Sequence, residues 1–133
     1  MPFDALPPAP KPVSAAEILL HAEVKFLMNR WVWVGEYPEH GRNECLVSAI
    51  ISATKEKGLG NRECDEACQL VARVIGLRSY KRRRDMRYAI AYWNDAEGRT
   101  PADITQVLKQ AQKLAYSDRD EAKRAAQVEL ELA

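Results

Sequence analysis

Apolar residues recur at helical spacing along most of the chain. Ser14 and Glu17 form a capping box, and the apolar positions after it predict a first helix over residues 15–30. These positions are Ile18, Leu19, Ala22, Phe26 and Leu27. Asn43 is a candidate cap for a second helix over residues 44–57. Because this second segment is apolar on nearly every side, we expect it to be the central and most buried helix.

Glycine and asparagine separate the next two helices. Asn61 is expected to cap a third helix after a glycine-containing break, and Gly76 supplies its stop. The predicted apolar face of this helix consists of Cys64, Ala67, Cys68, Val71, Val74 and Ile75. A fourth helix is predicted over residues 80–93.

A fifth helix has a clear start. Thr100, Pro101 and Asp103 are the residue types preferred at the N-cap, at the first helical position and at the third. Ser117 and Asp118 are residue types that favour a helix start. They predict that a separate last helix, exposed and rich in alanine, begins there.

These elements predict an all-α fold, a compact bundle of five to six helices. The predicted organisation is a Pro-rich flexible arm over residues 1–13, a helical domain over 14–116 and a peripheral C-terminal helix over 117–133. The longest alternating segment is residues 31–34, which is too short for a sheet and predicts a Trp-containing loop.

Composition narrows the class of protein. The 133 residues include 20 Lys and Arg against 19 Asp and Glu, a net charge of +1, with 47% hydrophobic residues. These values exclude wholesale disorder, a collagen-like fibre and a uniformly basic protein.

Three cysteines, an odd number, favour a reducing compartment. No membrane-spanning run and no signal peptide is apparent, so we expect a cytoplasmic protein that does not enter the membrane.

Charge is unevenly distributed along the chain. Residues 77–93 carry a net charge of +5, whereas residues 117–133 carry −2. The basic residues are Arg78, Lys81, Arg82, Arg83, Arg84 and Arg87. With Tyr80 and Tyr88 nearby, they favour contact with nucleic acid or another acidic partner. The alternatives are a solvated face or ion pairs with the acidic last helix.

An aromatic cluster precedes the second helix. Trp31, Trp33 and Tyr37 lie in a proline-bounded segment. If exposed, they predict a hot spot for binding a protein partner; if buried, they close the bundle.

The cysteines suggest two kinds of chemistry. Cys45 lies near a predicted helix N-terminus, where a thiolate is stabilised, and His40 is the histidine best placed to activate it. Cys45, Cys64 and Cys68, with a histidine, are a candidate zinc site. The alternative for all three cysteines is packing in the core, without a metal or other cofactor.

A family resemblance rests on two motifs. Residues 91–95 (AYWND) followed by 98–104 (GRTPADI), with 45–50 (CLVSAI) upstream, are similar to a signature of small helical bacterial and phage proteins of unknown function. Within it, Asn94, Asp95 and Arg99 are either a rigid interhelical corner, with Asp95 paired to Arg99, or a ligand site. The resemblance implies a helical fold and no particular activity.

The sequence therefore supports three hypotheses of function. The first is a non-enzymatic interaction or regulatory protein that binds a protein partner through the aromatic segment and the basic helix, with self-association left open. The second is nucleic-acid binding through the basic helix. The third is a cysteine-dependent or zinc-dependent enzyme.

Overall fold

Five α-helices account for most of the chain that the structure, a computed structural model, describes: residues 13–28, 45–77 and 80–132. They are α1 (Ser14–Met28), α2 (Leu46–Glu56), α3 (Asn61–Val74), α4 (Arg83–Asn94) and α5 (Pro101–Leu132). No strand occurs within these ranges, so the predicted all-α fold is confirmed.

Several sequence predictions lie outside the described residues. They are the Pro-rich arm up to residue 12, the cap Asn43, the aromatic residues Trp31, Trp33 and Tyr37, the candidate base His40, and Arg78 of the basic segment. The rest of the candidate site residues fall within the described part and are located below.

Helix α3, rather than α2, occupies the central position. It contacts all four other helices, whereas α2 contacts α1, α3 and α4. The prediction that α2 is central was therefore wrong, because apolar content does not reveal how many neighbours a helix has. The core is formed by the inner faces of all five helices, including Ile18, Leu19, Ile50 and Leu108, each of them 0% exposed.

Helix α1 differs from the prediction on its outer side. Phe26 is buried as expected, but Leu27 is 68% exposed. With Leu20, Val24 and Met28 it forms an exposed apolar stripe, at 52%, 45% and 81% exposure respectively. Apolar residues on every side of a helix leave one face uncovered where none of the other four helices packs against it.

Helix starts and ends follow capping chemistry. Thr100 and Asp103 exchange hydrogen bonds at 3.2 and 2.9 Å, which confirms the predicted start of α5. The cap of α3 is Gly60 rather than Asn61, and the Glu63 carboxylate accepts a hydrogen bond from the Gly60 N–H at 3.1 Å. Gly76, with φ of +80°, ends the helix as predicted.

The C-terminal helix is not a separate element. Helix α5 runs without a break through Ser117 and Asp118 for 32 residues, about 48 Å at the usual rise. Asp118 forms an ion pair with Arg73 of α3, which holds this part of α5 against the bundle. Every described residue from Glu121 onward is exposed.

No helix in the described part of the chain has the length and apolar character that crossing a membrane requires.

Candidate functional site

A stripe of one arginine and two tyrosines runs along the outer side of α4. Arg84, Tyr88 and Tyr92 follow at four-residue spacing, so their side chains share one face. Tyr88 is 65% exposed and Tyr92 is 83% exposed. The Arg84 guanidinium carbon lies 5.7 Å from the centre of the Tyr88 ring. We call these three residues the arginine–tyrosine stripe.

A groove of about 550 Å³ lies beside the stripe, between α2 and α4. Arg83, Arg84 and Arg87 line one side, and Cys45 and Ser48 from the start of α2 line the other. The groove therefore brings three positive charges to the N-terminal end of α2, the positive end of its helix dipole. Anions are favoured in such a place.

The arginines of α4 make different contacts. The sequence predicted that Arg83, Arg84 and Arg87 share a face, and all three line the groove. Arg83 nevertheless forms a two-fold hydrogen-bonded ion pair with Asp65 of α3, at 2.8 and 2.9 Å. Arg87 Nη2 donates to the Cys64 sulfur at 3.5 Å. Only Arg84 joins the tyrosines on the exposed stripe.

Arg87 carries an unsatisfied donor. Its Nε atom is buried and has no hydrogen-bond partner among the described residues. Buried polar atoms in native proteins are nearly always paired, with protein atoms or with ordered water. An anionic oxygen would satisfy it.

Among the residues that the structure describes, no ion pair joins the basic segment to the acidic C-terminal part of the chain. Within the described residues, α4 has one ion pair, Arg83 with Asp65, and its partner belongs to α3. Asp118 of α5 pairs with Arg73, and Asp120 pairs with the adjacent Arg119. Lys81, Arg82 and Arg84 are exposed. The basic segment and the acidic C-terminal part therefore pair with different residues.

The Asn94 corner makes its contacts inside the protein. Asn94 is 0% exposed, and its Oδ1 atom accepts a hydrogen bond from the Leu46 N–H at 3.3 Å. It is the last residue of α4, and the left-handed conformation in this corner belongs to Gly98, with φ of +81°. The side chain is thus used to cap a neighbouring helix.

Arg99 is held by Trp93 in the same corner. Its Nε donates to the Trp93 carbonyl oxygen at 3.0 Å, and its guanidinium lies 3.7 Å from the centre of the Trp93 ring system. The sequence predicted Asp95 as the partner of Arg99. The Arg99 guanidinium instead stacks on the ring of Trp93, six residues earlier in the chain. These contacts favour the rigid-corner interpretation, and a ligand site at Asn94, Asp95 and Arg99 stays a prediction.

Cys45 is the N-cap of α2 rather than a residue inside it. Its sulfur accepts a hydrogen bond from the Ser48 N–H at 3.4 Å and lies 3.3 Å from the Ser48 hydroxyl. His40, the candidate base, lies outside the described residues. His21, the other histidine, contacts Glu56. A nucleophilic role for Cys45 therefore stays a prediction.

The three cysteines do not form one metal site. Among the described residues no group of three or more His, Cys, Asp or Glu side chains is placed to hold a metal ion. Cys64 and Cys68 lie one turn apart on α3, as predicted, whereas Cys45 belongs to the groove. The described geometry therefore does not favour a zinc site built from all three, since similar residue types distributed along a chain do not specify that they meet.

Sequence reasoning missed three members of the site. Tyr92 was not assigned, although its four-residue spacing from Tyr88 is a readable signal. Asp65 as the partner of Arg83, and Thr54 beside Cys64, depend on how helices meet and leave no local signal.

Comparison with known proteins places the chain in a family. No curated protein and no solved structure matches it. The sequence model of the family of unknown function DUF6197 matches residues 10–114, which include α1 to α4 and the first part of α5. The chain is a member of the family of unknown function DUF6197.

Proposed function

We propose that this protein binds single-stranded nucleic acid through the arginine–tyrosine stripe and the adjoining groove. The observation that carries the proposal is the spacing of Tyr88 and Tyr92, two exposed tyrosines that are separated by four residues of α4, about 6 Å of helix rise. Successive bases of a single strand stack on such rings, and neighbouring cations contact its phosphates.

The charges around the stripe support the phosphate part of this proposal. Lys81, Arg82 and Arg84 are exposed, and Arg87 lines the groove beside them. An arginine donates in a planar fork that matches two oxygens of a phosphate. A backbone that follows the groove would pass Arg87 while its bases face the tyrosines.

Titration of a labelled oligothymidylate at several salt concentrations tests the proposal. Binding should weaken steeply with salt, and Arg84→Ala should reduce the slope of log K against log salt by about 0.7, the value for one phosphate contact on a single strand. Arg124→Ala is the matched control, because Arg124 is an exposed arginine near the far end of α5. Absence of binding at low salt would refute the proposal.

A protein partner is the second candidate, and the apolar stripe of α1 favours it. Leu20, Val24, Leu27 and Met28 expose large side chains along one helix face, a feature typical of protein contacts. We infer a second copy of the chain as the partner, since the stripe carries no charge that a like surface would have to bury. Light scattering should show a dimer that Val24→Glu converts to a monomer. The other part of this hypothesis, binding through Trp31, Trp33 and Tyr37, lies outside the described residues.

We also infer a cytoplasmic location in a bacterial or phage-infected cell. Cys45, Cys64 and Cys68 are all free thiols, which a reducing compartment preserves. The bacterial or phage origin is supported by the sequence resemblance alone.

A further inference from the structure

The groove between α2 and α4 has a charged part and an uncharged part. Arg83, Arg84 and Arg87 line the charged part, and they lie within five consecutive residues at the start of α4. The rest of the lining is uncharged and consists of Cys45, Val47, Ser48, Ile51, Tyr88 and Ala91. No Asp or Glu of the described chain lines the groove. The groove therefore concentrates its cations in one place and has none elsewhere that would hold a second phosphate.

The charge of this arginine cluster matches the end of a strand better than its interior. An internal phosphodiester carries one negative charge and has two free oxygens, whereas a terminal phosphomonoester carries nearly two charges and has three free oxygens. Asp65 of α3 offsets one of the three arginine charges through its ion pair with Arg83. The two charges that remain equal those of a monoester, and one guanidinium fork already satisfies two phosphate oxygens.

The residues on either side of the cluster also favour a strand end. A strand that continued past Arg83 would approach the Asp65 carboxylate, and two negative charges repel each other. In the opposite direction along α4, Tyr88 and Tyr92 are exposed and offer ring faces to bases. A strand that starts at the arginines and runs toward Tyr92 meets cations first and aromatic rings afterwards.

We propose that the groove binds the terminal phosphomonoester of a single-stranded nucleic acid, with the phosphate at the three arginines and the first bases on Tyr88 and Tyr92. This inference rests on the proposed function and adds to it that the protein recognises the end of a strand. A phosphomonoester at the 5′ end and one at the 3′ end share this chemistry, so the experiment includes both.

The experiment measures the affinity of the full chain for internally labelled decathymidylates by fluorescence anisotropy, at about 0.1 M salt. One strand has no terminal phosphate, one has a 5′ phosphate and one has a 3′ phosphate. At least one phosphorylated strand should bind roughly tenfold more tightly than the unphosphorylated strand. The methyl ester of the same terminal phosphate has one charge and two free oxygens, and it should lose this preference. A preference that the methyl ester retains would overturn the proposal.

Two variants test where the terminal phosphate binds. Arg87→Gln should remove most of the preference for the phosphorylated strand. Arg82→Gln, at an exposed arginine that does not line the groove, should weaken binding of both strands by the same factor and keep the preference. If Arg87→Gln fails to fold, Arg83→Gln takes its place, with the same expected result.

The same titrations separate this inference from the proposed function. Equal affinity of the wild-type protein for all the strands would overturn end recognition and leave single-strand binding in place. Absence of binding to every strand would overturn both.

Discussion

The Oδ1 atom of Asn94 accepts a hydrogen bond from the backbone N–H of Leu46, 48 residues earlier in the chain. This contact attaches the end of α4 to the start of α2 and so fixes one end of the groove between them.

Replacing Asn94 should destabilise the fold. Asn94→Ala leaves the buried Leu46 N–H without its partner, which costs about 1–3 kcal/mol. The melting temperature should fall by about 5–10 °C for a chain of this size. Thermal unfolding followed by circular dichroism measures it. Gln106→Ala, an exposed amide on α5, should leave the melting temperature nearly unchanged.

The Arg99 cation should not be replaceable by lysine. Arg99→Lys keeps the charge but loses the planar contact with the Trp93 ring and changes the geometry of the hydrogen bond to its carbonyl oxygen. We expect a loss of about 1–2 kcal/mol in the free energy of unfolding, measured by urea titration. An unchanged midpoint would show that the stacked geometry contributes nothing.

Removing the carboxylate of Asp65 should strengthen nucleic-acid binding. Asp65→Asn releases Arg83, whose only ion pair in the described part of the chain is with Asp65, to contact phosphate from the groove. The affinity for oligothymidylate should rise roughly two- to fivefold at low salt. Glu66→Gln, a neighbouring carboxylate paired with Arg62, is the control. Weaker binding in Asp65→Asn would mean that the ion pair positions the site instead.

Alkylation of Cys64 should have an unusual pH profile. Its pKa is lowered to about 6, so its reaction rate with iodoacetamide should rise as pH increases through 6 and become flat near neutrality. In the urea-unfolded chain the rise should move to about 8.5. Because a lowered pKa favours the folded state when the group is ionised, this contribution to stability is lost as pH falls through about 6. A folded-state profile identical to the unfolded one would contradict the assignment.

Local chemistry was predictable from the sequence where it depends on adjacent residues. The cap made by Thr100 and Asp103 and the stop at Gly76 use interactions within one turn, and both were predicted correctly. Ser117 and Asp118 were misread as a break, because the ion pair of Asp118 with Arg73 joins residues 45 positions apart and supports a continuous helix.

The site was predictable in composition but not in arrangement. The basic, tyrosine-containing segment was identified, whereas the division of its arginines between Asp65, Cys64 and the exposed stripe was not. That division depends on where α3 lies against α4, a result of packing over the whole bundle. Cys45 as a cap was missed for another reason, since sulfur is not among the usual capping groups.

The most direct test compares two strands of equal length and charge, an oligothymidylate and an abasic strand, by fluorescence anisotropy. If Tyr88 and Tyr92 stack on bases, the wild-type protein should bind oligothymidylate roughly tenfold more tightly. Tyr88→Leu with Tyr92→Leu should abolish this difference, and Tyr116→Leu, at another exposed tyrosine beside an arginine, should preserve it. Equal affinity of the wild-type protein for both strands would contradict the account.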